Sequence, residues 1–181
     1  MRIAFIGPES CGKSTLSQMV AAHFQIPYIA EYARTYVERL TRPYVYRDVS
    51  AIAHRQIEEL RDNPHAVFDT ELILTQVWMH RCYGREPWWV EKARKQYPID
   101  YYFVCAPDLP WQADPTRENP DCREELFRIY LSRVQKTCIP YRIIRGTDAA
   151  DRLEQVLTVF ENKVNGIGLL PLTIENNGNG Q

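Results

Sequence analysis

The sequence lacks a long apolar run. No stretch approaches the about 18 residues that a membrane-spanning helix needs, so nothing in it reads as crossing a bilayer. It also lacks an excess of one charge: 22 Lys+Arg against 23 Asp+Glu leave a net charge of −1. That balance argues against a polybasic nucleic-acid or membrane-surface protein. The start, MRIAFIGPES, has no charged n-region followed by a long apolar stretch, so no secretory signal is expected. Cys11, Cys82, Cys105, Cys122 and Cys138 are odd in number and contain no CxxC pair, which argues against a disulfide framework or a structural zinc site. Repeats and interdomain linkers are missing too. What is present, 45% hydrophobic and 25% charged residues over 181 positions, is enough for one globular domain with a sizeable core. The expectation is a cytoplasmic single-domain protein.

Strand-like and helix-like segments alternate. Arg2–Ile6, Ile26–Ala30, Ala66–Phe68, Tyr101–Ala106 and Tyr141–Arg145 read as strands. Helices are expected over Ser14–Phe24, from about Glu31 to Leu40, after Asp48 as N-cap, over Glu71–Tyr83 closed by Gly84, and over Trp88–Gln96. Two more are expected from an Asp121/Glu124 capping box to about Lys136, and after Asp148, with Leu153, Val156, Leu157, Phe160 and Val164 on one face. The pattern predicts an α/β fold with five mostly parallel strands and helices on both faces. Residues 1–164 make the domain, and the tail at 165–181, ending NNGNGQ, has little to bury.

Gly7-Pro8-Glu9-Ser10-Cys11-Gly12-Lys13-Ser14 fits the Walker A pattern G-x-x-x-x-G-K-[ST] between a strand and an amphipathic helix. Its glycines let successive N–H groups turn inward on phosphate oxygens, and the helix N-terminus adds its dipole. Lys13 supplies a charge for the β/γ-phosphates, and the Ser14 hydroxyl a hard ligand for Mg²⁺. Gly7, Glu9, Ser10, Cys11, Gly12, Lys13, Ser14 and Thr15 are therefore the candidate nucleotide contacts, with ATP and Mg²⁺ the expected cofactors.

Three carboxylates could do chemistry. Asp69 ends the apolar run Ala66-Val67-Phe68, where a P-loop protein holds Mg²⁺; it, or Thr70, could equally cap the next helix. Glu71 follows two residues on. Glu31 follows the second strand, where α/β sheets open onto ligands, and could accept the proton of an acceptor hydroxyl; it could also simply favour a helix dipole. Asp69 is its rival as base. After the fourth strand comes a stretch with Pro107, Pro110, Pro115 and Pro120, carrying Arg117 and followed by Arg123. Arginines on a closing lid suit the charge spread over a transferring phosphoryl group, although isolated surface arginines are the plainer alternative. Among the many aromatics, Tyr32, Trp88 and Trp111 neighbour the site segments and could stack on a flat heterocycle. His80 and Cys82 lack a second pair at ligand spacing, so they are no metal site. Cys11 reads as a variable loop position.

The chain resembles the ribosylnicotinamide kinase domain of the NadR-type NAD-biosynthesis proteins. GPESCGKSTL carries the likeness, with Glu31, Tyr32 and Arg34 of AEYAR, FDTE with Thr75 and Gln76 beyond, and Tyr97, Pro98 and Asp100. The lid pattern of Pro110, Trp111, Asp114 and Arg117, and IPY at Ile139–Tyr141, complete a collinear set from Met1 to about Val164. The resemblance implies a P-loop kinase that phosphorylates the 5′-hydroxyl of nicotinamide riboside with ATP, giving nicotinamide mononucleotide. By position it makes Lys13, Glu31, Asp69, Arg117 and Arg123 catalytic and Ser14 and Asp69 metal ligands. By position Glu31 and Tyr32 would line the riboside pocket; with the residues read above, the candidate riboside contacts are Glu31, Tyr32, Arg34, Asp69, Glu71, Trp88 and Trp111. Pro115 stands where some relatives have Gly, and the phosphate-loop strand begins at residue 2, so no adenylyl transfer is implied. The expected partner is a small-molecule nucleoside.

Two other readings compete. A kinase for another nucleoside would use the same acidic elements. A regulatory switch or ATPase would want a guanine signature such as N-K-x-D, and Asn162-Lys163-Val164-Asn165 lacks its Asp.

Overall fold

The computed structural model describes residues 1–114 and 117–164. Pro115 and the tail at 165–181 lie outside the described residues, as do the side chains of 161–164, and with them the expected facing of Val164. In chain order the elements are β1 (Arg2–Ile6), α1 (Lys13–Phe24), β2 (Tyr28–Ile29), α2 (Tyr32–Glu38), α3 (Tyr46–Asp62) and β3 (Ala66–Asp69). There follow α4 (Leu72–Tyr83), α5 (Trp88–Gln96), β4 (Tyr101–Cys105), α6 (Arg123–Gln135), β5 (Tyr141–Ile144) and α7 (Ala149–Val164).

The five strands form one sheet in the order β2-β3-β1-β4-β5, every neighbouring pair parallel. Side chains of a strand alternate between faces, so consecutive residues enter different cores. Ala4 and Ile6 of β1, Phe68 of β3 and Tyr102 and Val104 of β4 join Leu72, Ile73, Leu126 and Phe127 from α4 and α6 in the larger core. Ile3 and Phe5, Val67, Tyr101 and Phe103 point the other way, onto Leu16 and Val20 of α1 and Val156 and Phe160 of α7. A strand buried on both faces reads as an unbroken apolar run, which is why these strands are visible in the sequence. Truncating Phe103, fully buried, would cost about 3–5 kcal/mol.

This order puts β1 between β3 and β4, so the strand order reverses beside it, and the crevice at its carboxyl end is where a parallel sheet binds ligands. No helix among the described residues is long and apolar enough to cross a membrane.

Helix starts differ from the sequence expectation in three places. Asp48 is the third residue of α3 rather than its cap: its carboxylate accepts from the Val45 N–H at 2.7 Å, from Arg42 at 2.7 and 3.0 Å, and from the Tyr36 hydroxyl at 3.1 Å. These partners hold its pKa below the carboxylate range, first through Arg42. The Asp121/Glu124 box does not form; Cys122 precedes α6 without a side-chain cap. Neither Asp69 nor Thr70 caps α4. Glu71 does, accepting from the Ile73 N–H at 3.0 Å. Asp148 caps α7 as expected, accepting from Ala150 and Asp151 at 2.8 and 3.0 Å.

Candidate active site

The phosphate loop joins β1 to α1 and demands glycine at two places. Gly7 has φ 150°, and a Cβ there would stand 2.5 Å from the Cys105 carbonyl oxygen. Gly12 has φ 74°, with a Cβ position 2.7 Å from Leu109 Cδ1. Neither backbone admits a side chain without displacing its neighbours. Lys13 opens α1, and its buried ammonium donates to the Pro8 carbonyl at 2.7 Å, inside the curl of the loop. Burial works against that charge, but Cys11, Glu31 and Asp69 outweigh it and hold the Lys13 pKa above the ordinary lysine value.

The loop opens into a cavity of about 340 Å³. Gly7, Glu9, Ser10, Cys11, Gly12, Lys13, Ser14 and Thr15 line one end, together with Glu31, Arg34 and Arg117. The other end is walled by Tyr44 and by Leu74, Val77, Trp78 and Arg81 of α4. Glu31 stands at the N-cap position of α2 but makes no capping bond, so its carboxylate is available to the cavity rather than spent on the helix. Burial raises its pKa to about 7, with Asp69 adding to the rise and Lys13 and Arg34 opposing it.

Asp69 does not line the cavity. It is buried beside the loop, with Oδ2 accepting from the Tyr28 hydroxyl at 3.3 Å and Oδ1 without a hydrogen-bond partner. The next residue, Thr70, has φ 71°, a left-handed backbone that a β-branched residue adopts at a cost of about 1–3 kcal/mol. Its N–H donates to the Phe5 carbonyl at 3.0 Å, anchoring the turn to β1. A buried, half-satisfied carboxylate next to backbone strain is a mark of a functional turn.

The lid is zipped onto the phosphate loop by the loop's own variable residues. Ser10 Oγ donates to the Gln112 carbonyl at 3.3 Å and accepts from its N–H at 3.2 Å. The Glu9 carboxylate accepts from the Glu118 and Asn119 N–H groups at 3.2 and 2.9 Å. Arg123 donates to the carbonyls of Glu9, Ser10 and Leu109 at 3.1, 2.9 and 2.8 Å. Arg34 reaches the lid from α2, donating to Asp114 at 3.1 Å. Across the far end, the Tyr44 hydroxyl donates to Glu118 at 2.8 Å, and the Tyr44 and Trp78 rings meet edge-on with centroids 4.7 Å apart.

Several expected site residues stand elsewhere. Glu71 is turned into the core, where it caps α4, and its pKa is raised by burial with Arg94 opposing. Trp88 is 74% exposed at the start of α5, and Tyr32 and Trp111 are half-buried outside the cavity lining. Arg123 spends its guanidinium on backbone carbonyls, and the Glu9 side chain faces the lid rather than the nucleotide space. Thr75 is held by Gln56, and Gln76 donates to Glu91 at 3.2 Å, so neither joins the site. The apolar wall was missed. Its signal was there, as positions 74, 77 and 78 fall on one face of a helix, but core-facing stripes have the same spacing.

A family profile described as an AAA domain matches residues 2–152. The chain belongs to this family, as a P-loop kinase domain of the NadR type. It is 31% identical over 161 residues to the Escherichia coli (strain K12) trifunctional NAD biosynthesis/regulator protein NadR, covering 83% of this chain and 39% of that protein. The chain spans 30% to 39% of the length of the curated relatives it matches. A NadR protein in complex with NR superimposes with a TM-score of 0.70 at 16% identity, over 95% of this chain and 52% of the other. Deoxyadenosine kinase from M. mycoides gives 0.64 at 14%, over 90% and 100%. Both share the fold of this family member.

Proposed function

We propose that this domain transfers the γ-phosphoryl group of ATP to the 5′-hydroxyl of nicotinamide riboside, yielding nicotinamide mononucleotide in cytoplasmic NAD salvage. One observation carries the reading: a single cavity is lined by the phosphate loop, by Glu31 and by an aromatic, apolar wall. A flat ring packs against Tyr44 and Trp78, which leaves the ribose hydroxyl towards Lys13 and Glu31. A carboxylate with a pKa of about 7 is well matched to accept a proton near neutrality. The acceptor oxygen then bonds to the γ-phosphorus as the bond to the β,γ-bridging oxygen breaks, and ADP leaves. Lys13 and Arg117 face the charge that builds on the transferring group. The relatives that carry NR or phosphorylate deoxynucleosides support a nucleoside acceptor.

Mg²⁺ fits the residues present. The unpartnered Asp69 Oδ1 and the half-buried Ser14 hydroxyl at the start of α1 are the oxygen donors that would hold it. Bound there, the ion would neutralise β- and γ-phosphate charge.

The test is ATP consumption with a nucleoside panel and product masses, including nicotinamide riboside, adenosine, deoxynucleosides and a control without acceptor. Selective formation of nicotinamide mononucleotide is expected. Preference for a deoxynucleoside would move the assignment to another nucleoside kinase, and hydrolysis without acceptor preference would overturn the kinase reading.

A further inference from the structure

Three consecutive carbonyls of the phosphate loop are held by two arginines, and neither arginine takes part in the reaction proposed above. Arg123, at the start of α6, bridges two of them: its Nε donates to the Glu9 carbonyl at 3.1 Å and its Nη2 to the Ser10 carbonyl at 2.9 Å. Arg152, on α7, takes the third, with Nη2 donating to the Cys11 carbonyl at 2.7 Å. Glu9, Ser10, Cys11 and Gly12 line the cavity, whereas neither of the two arginines does.

A peptide unit is planar and trans, so its C=O and the N–H of the next residue point in opposite directions. Holding the carbonyls of Glu9, Ser10 and Cys11 therefore turns the N–H groups of Ser10, Cys11 and Gly12 away from the arginines. None of these N–H groups donates to a described residue. Ser10 has φ 53° and Gly12 φ 74°, and left-handed residues of this kind gather successive N–H groups into a concave anion site. A serine keeps that backbone only where its surroundings impose it. Here one guanidinium spans the Ser10 peptide units on both sides, which suits the rigid fork of an arginine.

Arg152 is 3% exposed, and its Nε and Nη1 have no hydrogen-bond partner. Its guanidinium lies against Gly12, where a Cβ would stand 3.3 Å from Nη1 and 3.7 Å from Cζ. A buried cation with one carbonyl as its partner is unfavourable until opposite charge arrives nearby. A polyphosphate seated in the loop supplies that charge.

We propose that Arg123 and Arg152 are positioning residues that pre-form the phosphate loop: by holding three successive carbonyls they aim three successive N–H groups at the phosphates of a nucleotide. The inference rests on the nucleotide assignment above but not on the identity of the acceptor. Neither arginine touches the phosphates. Both act before the nucleotide arrives, so binding does not have to order the loop. Arg123 also donates to the Leu109 carbonyl at 2.8 Å, so the same guanidinium ties the loop to the segment that leads into the lid. Arg152 makes its one side-chain hydrogen bond to the loop, so its removal isolates the effect on the loop.

The test uses the full chain and inorganic tripolyphosphate, which probes the loop without base, ribose or acceptor. Titration calorimetry should show the tripolyphosphate Kd of Arg152→Met raised roughly tenfold or more, in a chain that circular dichroism shows to be folded. Arg152→Lys keeps a cationic donor for the Cys11 carbonyl and should recover most of that loss. Arg123→Met, at a half-buried position, should lose affinity in the same way and carries the test if Arg152→Met does not fold. In amide NMR spectra the Gly12 proton should move downfield when tripolyphosphate saturates the parent, and about half as far or less in saturated Arg152→Met. Parental affinity in either folded methionine variant, or a parental Gly12 shift in Arg152→Met, overturns the inference and leaves the kinase reading standing. An equal loss in Arg152→Lys would assign the effect to packing and overturns it as well. A parent that does not bind tripolyphosphate removes the phosphate-loop assignment together with it.

Discussion

The two ends of the cavity are built by opposite means. The phosphate-loop end is made of backbone: two glycines that exclude a Cβ, a helix N-terminus, and carbonyl and N–H groups tied to the lid by Glu9, Ser10 and Arg123. The far end is made of side chains, the Tyr44 and Trp78 rings and the apolar face of α4. A phosphate is the same in every nucleotide, so its cradle can be a fixed backbone shape. A nucleoside base varies, so its wall is the part that changes identity without disturbing the loop. Glu31 lines the same cavity, and its role decides whether the two ends form one catalytic machine.

The difference is broken most severely at the loop. Lys13→Ala should lower kcat by about 10³-fold in an ADP-release assay while circular dichroism stays that of a folded chain. Turnover like that of the unchanged protein would remove the phosphate-loop assignment.

Glu31→Gln should lower kcat by about 10²-fold with ATP affinity little altered. In the unchanged protein the rate should rise with pH through about 7, the carboxylate accepting the proton only once ionised; in the variant that rise should vanish. A pure increase in riboside KM would make Glu31 a binding residue rather than the base. Stability gives an independent readout. From the ordinary 4.5 up to about 7 the folded protein holds a proton here that the unfolded chain has released. Stability should therefore fall as pH rises through that window, and Glu31→Gln should flatten the fall in a series of melting curves.

Glu9→Ala removes the acceptor for two lid N–H groups, which should cost roughly tenfold in kcat/KM for ATP. An unaltered value would mean that the lid closes without this tie. At the opposite end, Trp78→Leu should raise the acceptor KM by roughly threefold to tenfold and leave the ATP KM alone, sharpening the division between the two ends. The smallest effect belongs to Trp88→Ser: at 74% exposure on α5, both kinetics and stability should stay within about 0.5 kcal/mol of the parent.

The fold was legible because doubly covered strands write themselves as apolar runs, and Tyr101–Cys105 and Ala66–Asp69 are buried at every position. Boundaries were less so. Glu71 caps α4 where Asp69 and Thr70 looked the better caps, because Thr70 is turned into a left-handed backbone by its bond to Phe5. In the site, Lys13, Ser14, Glu31, Arg34 and Arg117 line the cavity. The aromatic choice went wrong because nearness in sequence to a motif does not give nearness in space: Trp88 points to solvent, and Trp78, ten residues earlier, forms the wall.

By itself the sequence determined the elements that depend on local chemistry: the phosphate loop, the alternation of strand and helix, and the carboxylates at strand ends. These follow from backbone conformation and burial pattern, which neighbouring residues set among themselves. Only the tertiary structure decided which face of α4 walls the cavity, and that Glu9 and Arg123 grip the lid. Such contacts join segments distant in the chain, and their geometry exists only once the sheet order β2-β3-β1-β4-β5 has brought those segments together.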